Sequence, residues 1–408
     1  MSAGANVGTS EPDNGLSAIA QQKWEALKAG DTGFLPVIVA LIGITIFFYS
    51  KNSQYLSAGN FTNLITQMAG VTAIAIGVVF VLLLGEIDLS IGYVSGLAGV
   101  VVASLQVPDG SWEIKGIVAI VIAIAIAALV GMLQGSFVAL VGVPSFAVTL
   151  AGLLFWQGVV LRTIGESLGV ITIQDNTINN VANYFFPDAW GLAIAVAASA
   201  AFAFAALSGV YSRRRHGIRS DNLVLALLKI AVVAVVAIGA VVWANGERGF
   251  PLAGVIVIAM LVFWTWVAER TTFGRHVYAV GGNDEAARRA GINVRRIRIF
   301  VFMISGAMAG LGGVILAARL NSVSLDAGGG TLLLDAIASA VVGGTSLFGG
   351  RGRVLSALMG ALVISTIENG IDLVGYPSNV KFMTTGLILL AAVTLDAFSR
   401  RRLARSGR

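Results

Sequence analysis

Cysteine is absent from this 408-residue chain, which excludes a disulfide framework, a thiolate nucleophile and a cysteine metal site. Only two histidines occur, His216 and His276, and both stand beside basic residues, so a histidine metal centre is not expected either. Charge is scarce: 12% of the residues are Asp, Glu, Lys or Arg, against roughly a quarter in an ordinary soluble domain. None of the six lysines completes the G-x-x-x-x-G-K-[ST] phosphate loop, so ATP, if it is used, binds another chain. The first 33 residues lack the basic, apolar and small-residue regions of a secretory signal, and read as a cytoplasmic tail in which Trp24 to Lys28 form an interfacial helical turn.

What remains is apolar. Hydrophobic residues make up 57% of the chain and glycine contributes 50 positions. Apolar runs recur that are each long enough, at roughly 20 residues, to cross a bilayer as a helix. The expected fold is therefore an all-α polytopic integral membrane protein of about 10–12 membrane segments over 34–398, with a basic cytoplasmic tail at 399–408. Candidate segments are 34–50, 61–84, 91–107, 114–138, 146–164, 190–211, 223–243, 252–268, 299–320, 331–348, 354–375 and 379–398. The tenth opens on Gly328 to Gly330 and closes on Gly349 and Gly350, and reads as a half-helix or re-entrant segment. Small residues at four-residue spacing, Gly92 with Gly96, Gly131 with Gly135 and Gly306 with Gly310, predict close helix packing.

The net charge of +6 fits cytoplasmic loop bias better than a nucleic-acid surface, and no nucleic-acid partner is expected. With the N-terminus inside, the inner segments hold twenty Lys and Arg and the outer ones six, with Lys229 left inside a span. That asymmetry predicts both termini in the cytoplasm, and it requires the tenth segment to return the chain to the inside.

Three short stretches carry the polar chemistry. In the loop 268–298, Asn283 or Asp284 can cap a short helix over 285–290, with Asp284 and Glu285 at its positive end, Arg288 and Arg289 at its negative end and Gly291 permitting a left-handed exit. Such a short helix needs a surface to hold it, either the membrane interface or a partner. Gly85 to Ser90 places Glu86 and Asp88 between the second and third segments, where they either act directly or cap the third segment with Ser90. Five of the twelve residues from Val342 to Arg353 are glycine, a composition tolerated at membrane depth where backbone is buried in protein or lines an aqueous cavity. Glu368 and Asp372, at helical spacing in the eleventh segment, read as a contact between helices or as proton carriers.

Together, Gly85-Glu86-Ile87-Asp88-Leu89-Ser90-Ile91-Gly92, Gly281 to Val294 and Gly343 to Gly352 resemble the sugar-specific permeases of bacterial ATP-binding-cassette importers, the ribose, galactose and xylose group. The resemblance runs in order from about residue 34 to 400. It implies a homodimer of permease chains in the bacterial inner membrane, cytoplasmic cassette ATPase subunits, a periplasmic sugar-binding protein, and no catalytic residue, metal or cofactor on this chain. Asp284, Glu285, Ala286, Ala287, Arg288 and Gly291 then resemble the coupling helix that seats in the ATPase. Glu86, Asp88, Asn321, Gly343, Gly344, Thr345, Ser346 and Asn369 are candidates for the translocation pathway or its gates. An extra basic loop and about two extra spans near 212–245 resemble the enlarged D-xylose permeases, which makes D-xylose the expected monosaccharide. Two other readings compete: an ion-coupled secondary sugar transporter using Glu368, Asp372 or Asp335, and an intramembrane enzyme, for which the chain lacks a nucleophile set.

Overall fold

A computed structural model describes residues 34–107, 113–165, 169–216 and 223–405. The expected tail over 1–33, Arg219 and Arg408 lie outside the described residues. In chain order the helices are α1 (Leu35–Lys51), α2 (Ala58–Leu83), α3 (Ile91–Leu105), α4 (Gly116–Ser136), α5 (Ser145–Gly165), α6 (Asn176–Asn183), α7 (Asp188–Arg215) and α8 (Leu223–Ala244). There follow α9 (Leu252–Arg270), α10 (Thr272–Gly282), α11 (Asp284–Arg289), α12 (Val294–Leu320), α13 (Leu332–Val342), α14 (Val354–Val374) and α15 (Ser378–Arg405).

Nine of the described helices are long and apolar enough to cross a membrane, and α1, α3 and α13 are shorter apolar helices. Together they occupy the twelve expected segments, so the chain is an all-α polytopic membrane protein. Helix α13 has 11 residues, about 16 Å at 1.5 Å per residue, or half the hydrocarbon thickness. The expected half-helix is thus present, and the Gly-rich stretch that follows it is turn rather than span.

Burial sorts the helices into a centre and a ring. The most apolar stretch of α2 is 83% buried, against 11% for α7 and α8 and 6% for α15. Helix α12 lies between α2, α3 and α4. Its crossing with α4 explains two of the glycine pairs: a Cβ on Gly306 would strike the Ala127 carbonyl, and one on Gly131 the Phe302 carbonyl. Backbones at that separation exchange dispersion contacts that larger residues would prevent, the main attraction available between helices in lipid. Gly92 and Gly96 do something different, since they face the Gly328 and Ala327 carbonyls of a loop rather than another helix.

Helices α7 and α8 pack on each other and join the bundle through a small cluster of Ala195, Val241, Ala244 and Phe250 against Phe61, Ile65 and Val255. Their feet meet where Asn245 donates to the Asp188 carbonyl at 3.3 Å. Three features carry no advance signal: α6, α10, and a two-stranded antiparallel pairing of β1 (Val170–Thr172) with β2 (Ser322–Ser324).

Candidate functional site

Helix α11 is built by its own residues. The Asn283 side-chain oxygen Oδ1 accepts the Ala286 N–H at 2.9 Å, satisfying one of the free donors of the first turn. Asp284 pairs with Arg288 at 3.4 Å and Glu285 with Arg289 at 2.6 Å, both one turn apart. Gly291 takes φ +85°, a region open to glycine, and lets the Ile292 N–H return to the Ala287 carbonyl at 3.1 Å. Only Ala287 is buried on this helix, while Glu285, Ala286, Arg288, Arg289 and Ala290 are exposed. The helix therefore presents a formed polar face with one anchoring methyl behind it.

Behind α11, the three stretches singled out in the sequence meet. The Gly350 N–H donates to the Leu83 carbonyl at 2.9 Å, tying the Gly-rich loop to the end of α2. A Cβ on Gly281 would overlap that same carbonyl, so the start of the α11 loop passes against the junction with no side chain between. Tyr278, on α10, donates its hydroxyl to the Gly352 carbonyl at 2.9 Å. Burial first, and the negative charge of Glu269 second, push this phenol above its ordinary pKa against the pull of Arg353, so it stays a donor.

Within the loop, Gly343 packs on the Ser356 backbone of α14, Gly344 makes the turn, and Thr345 is buried. Ser346 donates its hydroxyl to Asp396 of α15 at 3.2 Å. These four candidates lie at the α11 end of the bundle. So do Glu86 and Asp88. Arg298, on α12, reaches Glu86 at 3.0 Å as an ion pair off the line of a hydrogen bond, and donates to Asp284 of α11 at 3.0 Å. Asp88 is buried and accepts the Ser90 N–H at 3.0 Å, the Ser90 hydroxyl at 2.7 Å and the Ser305 hydroxyl of α12 at 2.9 Å. Asp88 thus binds the entrance of α3 to α12.

Asn321 and Asn369 stand at the opposite end. Asn321 ends α12 in the left-handed region, φ +52°, and accepts from Asn183 of α6 at 3.0 Å. Asn369 exchanges two amide hydrogen bonds with Asn60 of α2, at 2.8 and 3.0 Å, and fastens α14 to α2. Neither lines the cavity of about 390 Å³ that opens between Thr62, Asn63, Thr66, Asn183, Glu247, Arg248 and Arg319. The polar stripe Thr62, Asn63 and Thr66 at the head of an otherwise apolar segment was the available sequence signal for it. Asp372 is paired with Lys381 at 2.8 Å, and Asp335 accepts the Thr385 hydroxyl at 3.3 Å with the Glu368 carboxyl beside it. Among the described residues there is no group of three or more His, Asp or Glu arranged to hold a metal ion.

A family model described as the branched-chain amino acid transport system permease component matches residues 60–393, nearly all of this helical bundle. The chain belongs to that permease family. Among curated relatives, the permease is 36% identical to the xylose transport system permease protein XylH of Escherichia coli K12, across 93% of this chain and 95% of that one. The corresponding protein of Haemophilus influenzae is 35% identical across 90% and 98%. The ribose import permease protein RbsC of Escherichia coli K12 is 30% identical across 88% and 92%. No solved structure matches the permease. These relatives are transport permeases rather than enzymes, and the family resemblance expected from the three stretches is met over most of the chain.

Proposed function

We propose that this permease is the membrane subunit of a bacterial ATP-binding-cassette importer that carries a monosaccharide, D-xylose in the first place, across the inner membrane by alternating access. The observation that carries the reading is the convergence of the α2–α3 turn, the Gly281 loop and the Gly-rich loop beneath the exposed face of α11. A short helix that is well capped, outward-facing and braced from behind suits a lever moved by a partner. The family match and the named relatives support the importer class, and the higher identity to xylose than to ribose permeases supports xylose over ribose.

On this reading the α11 end faces the cytoplasm, where the Arg-rich loops and both termini lie, and seats in a cassette ATPase that supplies all ATP chemistry. The cavity beside Thr62, Asn63, Glu247, Arg248 and Arg319 faces the periplasm, offering hydroxyl, amide, carboxylate and guanidinium groups to sugar handed over by a binding protein. Two permease chains and two ATPase subunits form the assembly. No bond in the sugar is made or broken, so the chain contributes shape, weak polar contacts and movement.

The test is reconstitution in vesicles. With the ATPase and the binding protein present, radiolabelled xylose should accumulate on ATP addition and be competed by unlabelled xylose better than by ribose. The permease alone should accumulate nothing. Concentrative uptake by the isolated chain, lost when the proton gradient is collapsed, would overturn the proposal in favour of a secondary carrier.

A further inference from the structure

We infer that Arg298 is a positioning residue that yokes α11 to the turn between α2 and α3, so that a displacement of α11 is delivered directly to the mouth of the buried helix α3. The inference rests on the reading of α11 as the ATPase-driven lever, and goes beyond it by naming the part that receives the motion.

The geometry is specific. Arg298 stands in the second turn of α12 and touches two carboxylates from two other segments, Asp284 on α11 and Glu86 in the α2–α3 turn, both at 3.0 Å. Its side chain is one-quarter exposed and that of Glu86 15%, so the Glu86 pair is shielded much more than the surface pairs along α11. Arg288 also reaches Asp284, but at 3.4 Å and with its side chain 68% exposed, so it adds less to the fixation. A guanidinium offers several donors in a rigid planar fork and can engage two acids at once, which a lysine ammonium on its flexible stem does less well.

A second contact makes the yoke stiff. Ser305 lies seven residues beyond Arg298 on α12, two turns along the same face, and donates to Asp88 at 2.9 Å. Glu86 and Asp88 are two residues apart in one turn, so that turn is pinned to α12 at two points. Asp88 also holds the Ser90 N–H where α3 begins. A push on α11 therefore passes through Arg298 to Glu86 and, by the shared turn, to α3, with no flexible linker in between. Arg298 touches neither the cavity at the other end nor the exposed face of α11, so its role is transmission.

The absence of cysteine makes the test direct, because Ile87→Cys and Ala290→Cys place one spin label in the α2–α3 turn and one at the end of α11 in each permease chain, which has no other thiol. In the complete complex with ATPase and binding protein, the distance between the labels should be the same with and without trapped nucleotide in the otherwise unchanged permease. In Arg298→Ala it should change when nucleotide binds. The ATP hydrolysed per sugar imported should rise roughly fivefold or more in Arg298→Ala and in Glu86→Gln, the lower bound of usual coupling between sites. The double variant should be no worse than the worse single one. Should Arg298→Ala fail to insert, Arg298→Lys and Glu86→Gln carry the same cycle. An unchanged label distance in Arg298→Ala, a nucleotide-dependent distance with Arg298 present, or wild-type stoichiometry in both single variants would overturn the inference. Lack of ATP-driven uptake by the unmodified complex would instead overturn the importer reading on which it rests.

Discussion

Asp88 accepts a backbone N–H and two hydroxyls inside protein, so its contribution is measured by what its partners lose without it. Asp88→Leu strands the Ser90 N–H and the Ser305 hydroxyl, while the Ser90 hydroxyl keeps Gln134 Oε1 as an acceptor at 2.9 Å; each unsatisfied group costs about 1–3 kcal/mol. Ser305→Ala removes a single bond and should cost about 1 kcal/mol. Thermal unfolding of the detergent-solubilised permease should therefore rank Asp88→Leu well below Ser305→Ala, and equal melting temperatures would contradict the network. The same scale shows where sequence reading succeeds. Asn283 is visible as a cap because its partner is three residues away, whereas Arg298 counts in the sequence only as one more inner positive charge. Its acidic partners lie in segments that nothing local connects. Glu86 and Asp88 were singled out from type and place alone, and the fold showed one to be an ion-pair partner and the other a buried acceptor that ties the Ser90 turn to α12.

At the scale of elements, the α4–α12 crossing depends on missing side chains. Gly306→Val drives a Cβ into the Ala127 carbonyl and against the Gly131 backbone, and overpacking of this kind typically costs about 1–3 kcal/mol or more. The expected outcome is loss of folded, monodisperse protein, while the same change at Gly239, where a Cβ meets open space, should be tolerated. Helix α11 should respond in the opposite manner: Glu285→Arg or Gly291→Glu should abolish uptake and transport-stimulated ATP hydrolysis while leaving membrane insertion intact, as checked by yield and by vesicle assay. Normal uptake in both would remove the lever assignment. The half-helix α13 was legible because glycines bracket an apolar run too short to cross. The β1–β2 pairing was not, because three-residue strands from distant segments leave no periodic signal.

For the whole molecule, the outlying pair α7 and α8 makes a distinctive prediction. Their feet already touch at Asp188 and Asn245, so replacing 189–244 by a short Gly-Ser linker closes the chain over a gap that is nearly closed in the intact protein. The surfaces uncovered, Phe61, Ile65 and Val255, are apolar and would face lipid. The shortened permease should insert, assemble and retain most of its xylose uptake in the reconstituted system, and failure to fold would show that the pair is part of the core. The sequence by itself determined the class of the molecule, the twelve apolar segments and the cap of α11. Apolar length, cap chemistry and charge asymmetry are local properties that a bilayer and a single turn of helix read directly. The tertiary structure alone decided that the three unusual stretches share one junction, that Arg298 bridges two of them, and that a polar cavity lies at the far end. Those facts depend on which helix faces meet, and that choice is made by close packing summed over the whole bundle.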